Sequence, residues 1–300
     1  METQITFLGT SQAIPTATRN HTAILMQYKD ENILIDCGEG TQRQFRKAKL
    51  NPCKLTRLLV THWHGDHILG IPGLFQTLEL NKYPKTLFIY GPKGTKKFIE
   101  EISKIFIHQN KMKIEVKEVS GKFLETKDFT ITAIPLNHGA PCNGYMFEEK
   151  NKLRINKTEL KKLKISKEEI HKLKLLTQGK DIKINNKKIS YKKITYGEKG
   201  KKIAFVLDTL YNSNVDKLIE NSDLAIVEST YTSSEKEQAK EHKHMTAEQA
   251  ARSAKKNKVK KLILTHLSQR YEHKEHLVLK EAKKYFPHTT IAEDLMKVEV

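Results

Sequence analysis

The sequence predicts an α/β fold in which buried strands alternate with helices and carry polar side chains to one edge of a sheet. Apolar runs of strand length alternate with stretches of helical composition along most of the chain. Five apolar runs end on a side chain that can bind a metal or move a proton: His62, His138, Asp208, Glu228 and His266. Core packing gives no reason for this pattern, whereas a site built from strand ends does.

The individual elements follow from local patterns. Residues 1–9 predict a first strand that ends at a glycine turn, and two alternating segments around a polar turn predict a hairpin over 21–28 and 32–36. Helical composition then predicts a helix over 41–49. Further strands are predicted at 58–60, 86–90, 129–138, 202–208, 223–228 and 261–266, with a helix from 96 to about 107.

One short segment contains most of the metal-binding potential of the chain. Residues 61–67 read T-H-W-H-G-D-H. His62 and His64 can face one point because alternate side chains of an extended segment lie on the same side. Asp66 and His67 follow at the start of the next predicted helix. Imidazoles and a carboxylate at this spacing suit borderline metals, zinc first, so we predict a metal site rather than isolated structural histidines.

Composition restricts the partner and the compartment. The formal net charge is +19, from 54 basic and 35 acidic side chains. This favours a polyanionic partner, either nucleic acid or an anionic membrane surface, although a lysine-rich proteome or salt adaptation would also produce it. Three cysteines without a C-x-x-C pair or a secretory leader fit a reducing compartment. No apolar run reaches the roughly 18 residues of a membrane span, so we expect a cytoplasmic protein.

Much of the positive charge lies in one segment. Residues 150–202 contain 19 Lys or Arg and 5 Asp or Glu. Apolar residues recur there at helical spacing, and Ser166 with Glu169 has the pattern of a capping box. The recurring apolar residues are Leu160, Leu163, Ile170, Leu173 and Leu176. We predict two short amphipathic helices on a tether; a solvated charged hairpin or a dimerisation arm are the alternatives.

Three segments together resemble the ribonuclease Z family of the metallo-β-lactamase superfamily. They are the H-x-H-x-D-H motif at 62–67, T-S-Q-A-I-P-T at 10–16 and I-D-C-G-E-G-T-Q at 35–42. The resemblance implies a single domain over 1–300 with a four-layer αββα sandwich and an inserted basic helical arm, the exosite, at 151–200. It also implies a homodimer and a zinc-dependent endoribonuclease that cleaves 3′ trailers from precursor tRNA, with the exosite gripping the tRNA elbow.

The resemblance assigns a role to each candidate site residue. The resemblance implies that Asp66 deprotonates a water held between two zinc ions, which gives the attacking hydroxide. It also implies that His244, oriented by Glu228, protonates the leaving 3′ oxygen of the tRNA. The implied zinc ligands are His62, His64 and His138 for one ion and Asp66, His67 and His266 for the other, with Asp208 bridging them.

Substrate contacts are also implied by the resemblance. The loop 15–20 is similar to a family loop that handles the tRNA 3′ end, which makes Arg19 and Asn20 candidates; alternatively, Arg19 is a solvated loop charge. In the arm the candidates are Lys161, Lys162, Lys164, Lys172 and Lys174. The chain departs from the family pattern at 167–169, where K-E-E replaces a Gly-Pro signature, and at Leu207, where a glycine is expected.

Two other function classes remain open. A small-molecule hydrolase of the same superfamily would share the metal ligands but would need neither the basic arm, the loop 15–20 nor the Glu228–His244 pair. An RNA-binding scaffold without activity predicts missing ligands, and the sequence retains all of them. His242 is the alternative proton donor. No role is assigned to the remaining histidines, which are His21, His108, His171, His273, His276 and His288.

Overall fold

The computed structural model describes residues 3–105, 112–163, 167–184 and 187–300. The predicted positions His108, Lys164 and Ser166 therefore lie outside the described residues. The chain divides into two compact units. The first consists of Met1–Glu125, Ile131–Phe147 and Lys202–Val300, and the second of Thr126–Thr130 and Glu148–Lys201.

The elements are numbered in chain order. The strands are β1 (Gln4–Gly9), β2 (Ala23–Tyr28), β3 (Glu31–Ile35), β4 (Arg57–Leu59), β5 (Thr86–Gly91), β6 (Lys113–Glu118), β7 (Gly121–Glu125), β8 (Phe129–Asn137), β9 (Pro141–Glu149), β10 (Lys152–Ile155), β11 (Ile182–Ile184), β12 (Lys187–Ile189), β13 (Thr195–Glu198), β14 (Lys202–Val206), β15 (Leu224–Glu228), β16 (Lys261–Thr265), β17 (Thr289–Ile291) and β18 (Lys297–Glu299). The helices are α1 (Thr41–Lys47), α2 (Gly65–Ile68), α3 (Ile71–Leu80), α4 (Thr95–Ile105), α5 (Lys157–Lys161), α6 (Leu173–Thr177), α7 (Tyr191–Ile194), α8 (Ser213–Ile219), α9 (Lys236–Glu241), α10 (Ala247–Lys256) and α11 (Glu275–Tyr285).

Two seven-stranded mixed sheets form the framework. The first has the order β18-β1-β2-β3-β4-β5-β6 and the second the order β17-β16-β15-β14-β9-β8-β7. The predicted hairpin is present, because β2 and β3 pair antiparallel. In the second sheet β14, β15, β16 and β17 are parallel neighbours. This arrangement places the carboxyl ends of three predicted site strands at one edge.

Each sheet buries one face against helices. Helices α1, α3 and α4 contribute to the apolar cluster that covers the first sheet, and α8, α10 and α11 to the cluster on the second. The alanines of α10 recur at positions 247, 250, 251 and 254, so a small apolar stripe lies against the sheet. Between the sheets, the rings of Tyr28 and Phe147 meet edge to face at 5.2 Å, and Tyr145 Oη donates to Val60 O at 2.6 Å.

A partly buried carboxylate joins two of the helices on the second sheet. Asp216 in α8 accepts hydrogen bonds from Ser253 Oγ at 2.6 Å, Lys256 Nζ at 2.7 Å and Asn257 Nδ2 at 2.7 Å. Burial alone would raise the pKa of Asp216, but these donors hold it below its ordinary value. The ionised carboxylate therefore ties α8 to the C-terminal end of α10.

The second compact unit contains more strand than the sequence predicts. Its ladders are β10 with β13 and β11 with β12, and its small core includes Leu160, Leu163, Leu173 and Leu176. Residues 167–172 form a 3₁₀ helix, and Ile170 is 53% exposed. Its predicted place on an apolar helical face is therefore wrong, because the 3₁₀ period differs from the α-helical one and turns this position outward.

Among the described residues, no helix has the length and apolar character needed to cross a membrane.

Candidate metal centre and catalytic pair

All seven predicted metal ligands meet at one edge of the two sheets. Asp208 and His266 follow β14 and β16, the strands on either side of β15, and His138 follows β8. The segment after β4 and helix α2 supply the others. The candidate ligand atoms form two groups in which all atoms lie within 4.8 Å of one another. One group is His62, His64 and His138, and the other is Asp66, His67, Asp208 and His266.

The Asp208 carboxylate lies between these groups. Its Oδ2 atom is 3.7 Å from Nε2 of His62 and of His138, and 3.4 Å from Nε2 of His67. Its Oδ1 atom is 3.1 Å from Nε2 of His266. One carboxylate therefore faces imidazoles of both groups, as a ligand shared by two metal ions must.

Several atoms of this cluster are buried without a hydrogen bond. They are Nε2 of His62, Nε2 of His67 and Oδ1 of Asp208, whose contacts within the described chain lack hydrogen-bond geometry. Unsatisfied buried polar atoms are costly, and the chemistry of these donors matches the nitrogen and oxygen ligands of divalent metals. The residues present therefore fit a metal centre.

Hydrogen bonds to the Nδ1 atoms of His62 and His67 hold both rings so that Nε2 faces the cluster. His67 Nδ1 lies 2.6 Å from Asp36 Oδ2. Thr61 Oγ1 donates to the same Asp36 oxygen at 2.7 Å and can accept from His62 Nδ1 at 3.1 Å. A proton on each Nδ1 leaves a lone pair on each Nε2, which is the tautomer that a metal ligand needs.

Nδ1 atoms of two further ligand candidates, His266 and His138, also have hydrogen-bond partners outside the cluster. His266 Nδ1 lies 3.0 Å from Thr230 Oγ1, which itself donates to Glu228 Oε2 at 2.7 Å. His138 Nδ1 lies 3.1 Å from the backbone oxygen of Lys243. Four of the five imidazoles are thus oriented by acceptors outside the cluster.

Two site residues adopt an uncommon backbone conformation. Asp36 has φ 56° and His266 has φ 59°, both in the left-handed region. Residues with a side chain enter this region infrequently, and Asp and His tolerate it better than most. Such strain persists where the surroundings over-determine it, and here it directs a strand-end side chain into the cluster.

The carboxylates and imidazoles of the cluster shift one another's pKa values in opposite directions. Burial lowers the pKa of His62. Burial also acts to lower the pKa of His67, but Asp208, Asp66 and Asp36 outweigh it and raise that pKa well above its ordinary value. For Asp208, burial is outweighed by His266 and His67, which lower the carboxyl pKa. The Asp208 carboxylate is therefore ionised.

A second feature beside the cluster is the pair formed by Glu228 and His244. The buried Glu228 carboxylate lies 3.0 and 3.2 Å from His244 Nδ1 and accepts from Thr209 N at 2.7 Å. Burial would lower the pKa of His244, but Glu228 overcomes it and raises the pKa to about 9. A capping box fixes the chain here, since Thr246 and Gln249 bond reciprocally at the start of α10, two residues after His244.

His244 faces the cavity that contains the cluster. This cavity has a volume of about 570 Å³ and is lined by five ligand candidates as well as His244. They are His64, Asp66, His138, Asp208 and His266. The site therefore presents carboxylates and imidazoles for metal ions on one side and a protonated imidazole on another.

Comparison with known proteins agrees with this geometry. Ribonuclease Z of Methanothermobacter thermautotrophicus is 39% identical over 299 residues, which cover 99% of this chain and 96% of that protein. The chain belongs to the ribonuclease Z family. Residues 3–282 also match the family model described as Anti-Pycsar protein Apyc1, so the chain belongs to that group as well.

Solved structures agree with membership of the ribonuclease Z family. The human tRNase Z, short form (ELAC1), is 28% identical with a TM-score of 0.72, and the match covers 98% of each chain. The metallo-β-lactamase fold protein YhfI from Bacillus subtilis is 22% identical with a TM-score of 0.71 over the whole of both chains. The family and the αββα fold expected from the sequence are thereby confirmed.

The two loop residues predicted to bind substrate in this ribonuclease Z family member make internal contacts. Arg19 is 7% exposed, and its Nη1 donates to Thr10 Oγ1 at 2.8 Å and to Ala292 O at 2.6 Å. Asn20 Nδ2 donates to Glu39 O at 2.6 Å. Arg19 is therefore not a solvated loop charge, and its contacts set the shape of the loop. A direct role in substrate binding stays a prediction for both residues.

The predicted lysines of the arm lie in the second compact unit. Lys161, Lys162 and Lys174 are exposed, while Lys162 and Lys172 pair with glutamates three residues before them, at 2.6 and 2.9 Å. Lys164 lies outside the described residues. Their contact with tRNA stays a prediction.

Sequence reasoning missed three residues that orient the ligands: Asp36, Thr61 and Thr230. Asp36 also follows a buried strand, so it carries the strand-end signal that identified the other acids. The threonines carry no such signal, because a hydroxyl after a strand is common and its partner is known only once the strands are paired.

Trp63 attaches the segment that carries His62 and His64 to helix α4. Its Nε1 donates to the buried Thr95 Oγ1 at 2.9 Å, and its ring lies 4.9 Å from that of Phe98 in α4. Because it stands between His62 and His64 in an extended segment, its side chain points away from theirs. The indole ties the segment to α4.

Proposed function

We propose that this protein is a metal-dependent endoribonuclease that removes 3′ trailers from precursor tRNA. Its products are a tRNA with a 3′-hydroxyl and a trailer with a 5′-phosphate. The observation that carries the proposal is the buried cluster of oriented imidazoles and carboxylates beside the Glu228–His244 pair. A metal cluster alone would suit any hydrolase of this fold, whereas the adjacent proton donor suits a poor leaving group.

Two zinc ions are proposed as the resident metals. His62, His64 and His138 would hold one ion, Asp66, His67 and His266 the other, and Asp208 would contact both. The donor set of imidazole and carboxylate is the set that zinc prefers. When bound, such ions lower the pKa of water to about 7 and neutralise charge on phosphoryl oxygens.

The protein's own groups then have separate tasks. The Asp66 carboxylate lines the cavity with its Oδ2 3.3 Å from His266 Nε2, and it would orient the attacking water and accept its proton. His244 would give a proton from Nε2 to the leaving 3′ oxygen, since its Nδ1 is engaged by Glu228. Glu228 holds that ring in place and also reaches His266 through Thr230.

The substrate would be held at two places. The basic arm, residues 151–200, would grip the tRNA elbow as an inserted part of the single domain, and the loop at Arg19 and Asn20 would handle the 3′ end. The charge excess of the arm supports this, because lysines and arginines bind phosphates without sequence preference. We further propose that the protein is a homodimer, which light scattering on the purified protein tests.

The experiment that tests the function is cleavage of a 3′-extended precursor tRNA by the purified protein, with and without a chelator. The expected result is a chelator-sensitive cut at the base of the acceptor stem that leaves a 3′-hydroxyl. Metal analysis of the same preparation tests zinc and the count of two. A protein that holds metal and hydrolyses a small phosphodiester but leaves precursor tRNA intact would be a small-molecule hydrolase instead.

A further inference from the structure

A second cavity adjoins the catalytic one and does not take part in the chemistry described so far. It has a volume of about 460 Å³, and Arg270 lines both cavities. Three lysines of the segment 274–284 line it: Lys274, Lys280 and Lys284. We call these three residues the α11 lysine face.

The spacing of these lysines makes a row. Lys280 and Lys284 are four residues apart on the side of α11 opposite Val278 and Ala282, which are buried in the apolar cluster of the second sheet. Lys274 immediately precedes the helix and lines the same cavity. All three lysines are exposed. Ten residues of helix rise by about 15 Å, and phosphates follow one strand of a duplex at about 3.4 Å of axis, so the row is long enough for several phosphates.

The acidic groups around the row are turned inward. Glu281, in the same helix, accepts from Ser233 N at 3.0 Å, Ser233 Oγ at 2.7 Å and Glu248 N at 3.0 Å. Glu235, which also lines the cavity, accepts from Tyr271 Oη and pairs with Arg270 at 3.3 Å. These carboxylates therefore stabilise the ends of other segments rather than the lysines.

Within the described part of the chain, the ammonium groups of the α11 lysine face make no ion pair and no hydrogen bond. Elsewhere the same chain places glutamate and a basic residue in helical pairs, as between Lys97 and Glu101 or Glu248 and Arg252. An ordinary solvated helix would pair Glu281 with Lys284, three residues on, and here it does not.

We propose that the α11 lysine face binds the phosphate backbone of the acceptor stem next to the cut. This rests on the proposed function. The row continues from Arg270, whose guanidinium lies 5.0 Å over the Tyr231 ring, and that ring lies 6.1 Å from His244. Because His244 protonates the 3′ oxygen of the tRNA, nucleotides on its side belong to the tRNA and not to the trailer.

The test compares two triple variants with the same change in net charge. One carries Lys274→Gln, Lys280→Gln and Lys284→Gln. The other carries glutamine at three exposed lysines of the first sheet and its loops, Lys54, Lys85 and Lys113. Binding of precursor tRNA is measured by fluorescence anisotropy over a range of salt concentrations, together with binding of a single-stranded trailer oligonucleotide and the thermal midpoint of each variant.

The expected result follows from counterion release. Each lost phosphate contact removes about 0.9 from the slope of log affinity against log salt, so the α11 variant should lose about two to three units. Its trailer binding should not change, and the control variant should keep the wild-type slope. Equal losses in both variants, with wild-type protein still cleaving precursor tRNA, would overturn the α11 lysine face alone. Wild-type protein that shows no salt-dependent binding of precursor tRNA would overturn the proposed function with it.

Discussion

Replacing His244 with alanine separates proton donation from metal binding. Glu228 engages Nδ1 of His244, so only Nε2 is available to the leaving oxygen, and alanine removes that proton source. General acid catalysis is worth about 10²–10⁴ in rate, which corresponds to about 2.7–5.4 kcal/mol of activation free energy. We expect the single-turnover cleavage rate of precursor tRNA to fall by this factor while zinc content and tRNA affinity stay unchanged.

A second substrate shows whether the loss concerns the leaving group. An aryl phosphodiester releases a phenolate that is stable without a proton, so His244→Ala should lose less than about tenfold on it. His242→Ala is the matched control, because His242 lines the same cavity two residues earlier. Equal losses on both substrates would refute the assigned role. Loss of zinc from His244→Ala would do so as well, since the ring also lies within 4.8 Å of candidate ligand atoms of His138 and Asp208.

Three further predictions concern other parts of the molecule. Asp216→Asn should lower the free energy of unfolding at neutral pH by about 1–2 kcal/mol. Because the folded pKa of Asp216 is lowered, this difference should be complete above its ordinary value of 3.8 and disappear as the pH falls below it in urea titrations. Trp63→Phe should weaken zinc binding by about tenfold in chelator competition, as loss of an outer support does. Tyr83→Phe is the control: it removes one hydrogen bond, 2.6 Å long, from another aromatic residue of the same apolar cluster, and it should lower stability without changing zinc affinity. Equal zinc affinity in the Trp63 and Tyr83 variants would argue against a role of Trp63 in positioning the ligands. Deleting residues 156–179 should weaken precursor-tRNA binding and flatten its salt dependence while sparing a small phosphodiester; equal loss on both would make the arm structural.

The strand pattern made much of the fold predictable. The hairpin of β2 and β3 and the strands that end near Asp208, Glu228 and His266 all occur where local patterns indicate them. These features depend on alternation, on spacing and on short-range hydrogen bonds, which neighbouring residues determine. The ladder of β10 with β13 in the second compact unit escaped prediction because it pairs distant residues, from Ile155 with Thr195 to Lys152 with Glu198.

The sequence predicts which residues form the candidate site, but not how their side chains are oriented within it. Strand-end positions and the H-x-H-x-D-H spacing identify the seven ligand candidates, because a side chain at the end of a buried strand has few other uses. Which imidazole nitrogen faces the cluster depends on Asp36, Thr61 and Thr230, and their partners come from other strands. Similarly, Arg19 is recognisable as a loop residue, but only its contact with Ala292 shows that its guanidinium is buried.

The sequence by itself determined the fold class, the family and the identity of the groups that can do chemistry. Those properties are local, since they depend on residue type, period and spacing. Tertiary structure alone decided which atoms are engaged. It turned Glu281 toward Ser233, so that Lys284 has no acidic partner among the residues the structure describes, and it engaged Nδ1 of His244 with Glu228. The physical reason is that a hydrogen bond or an ion pair is a choice among competing partners, and the competition is settled only when distant segments pack together.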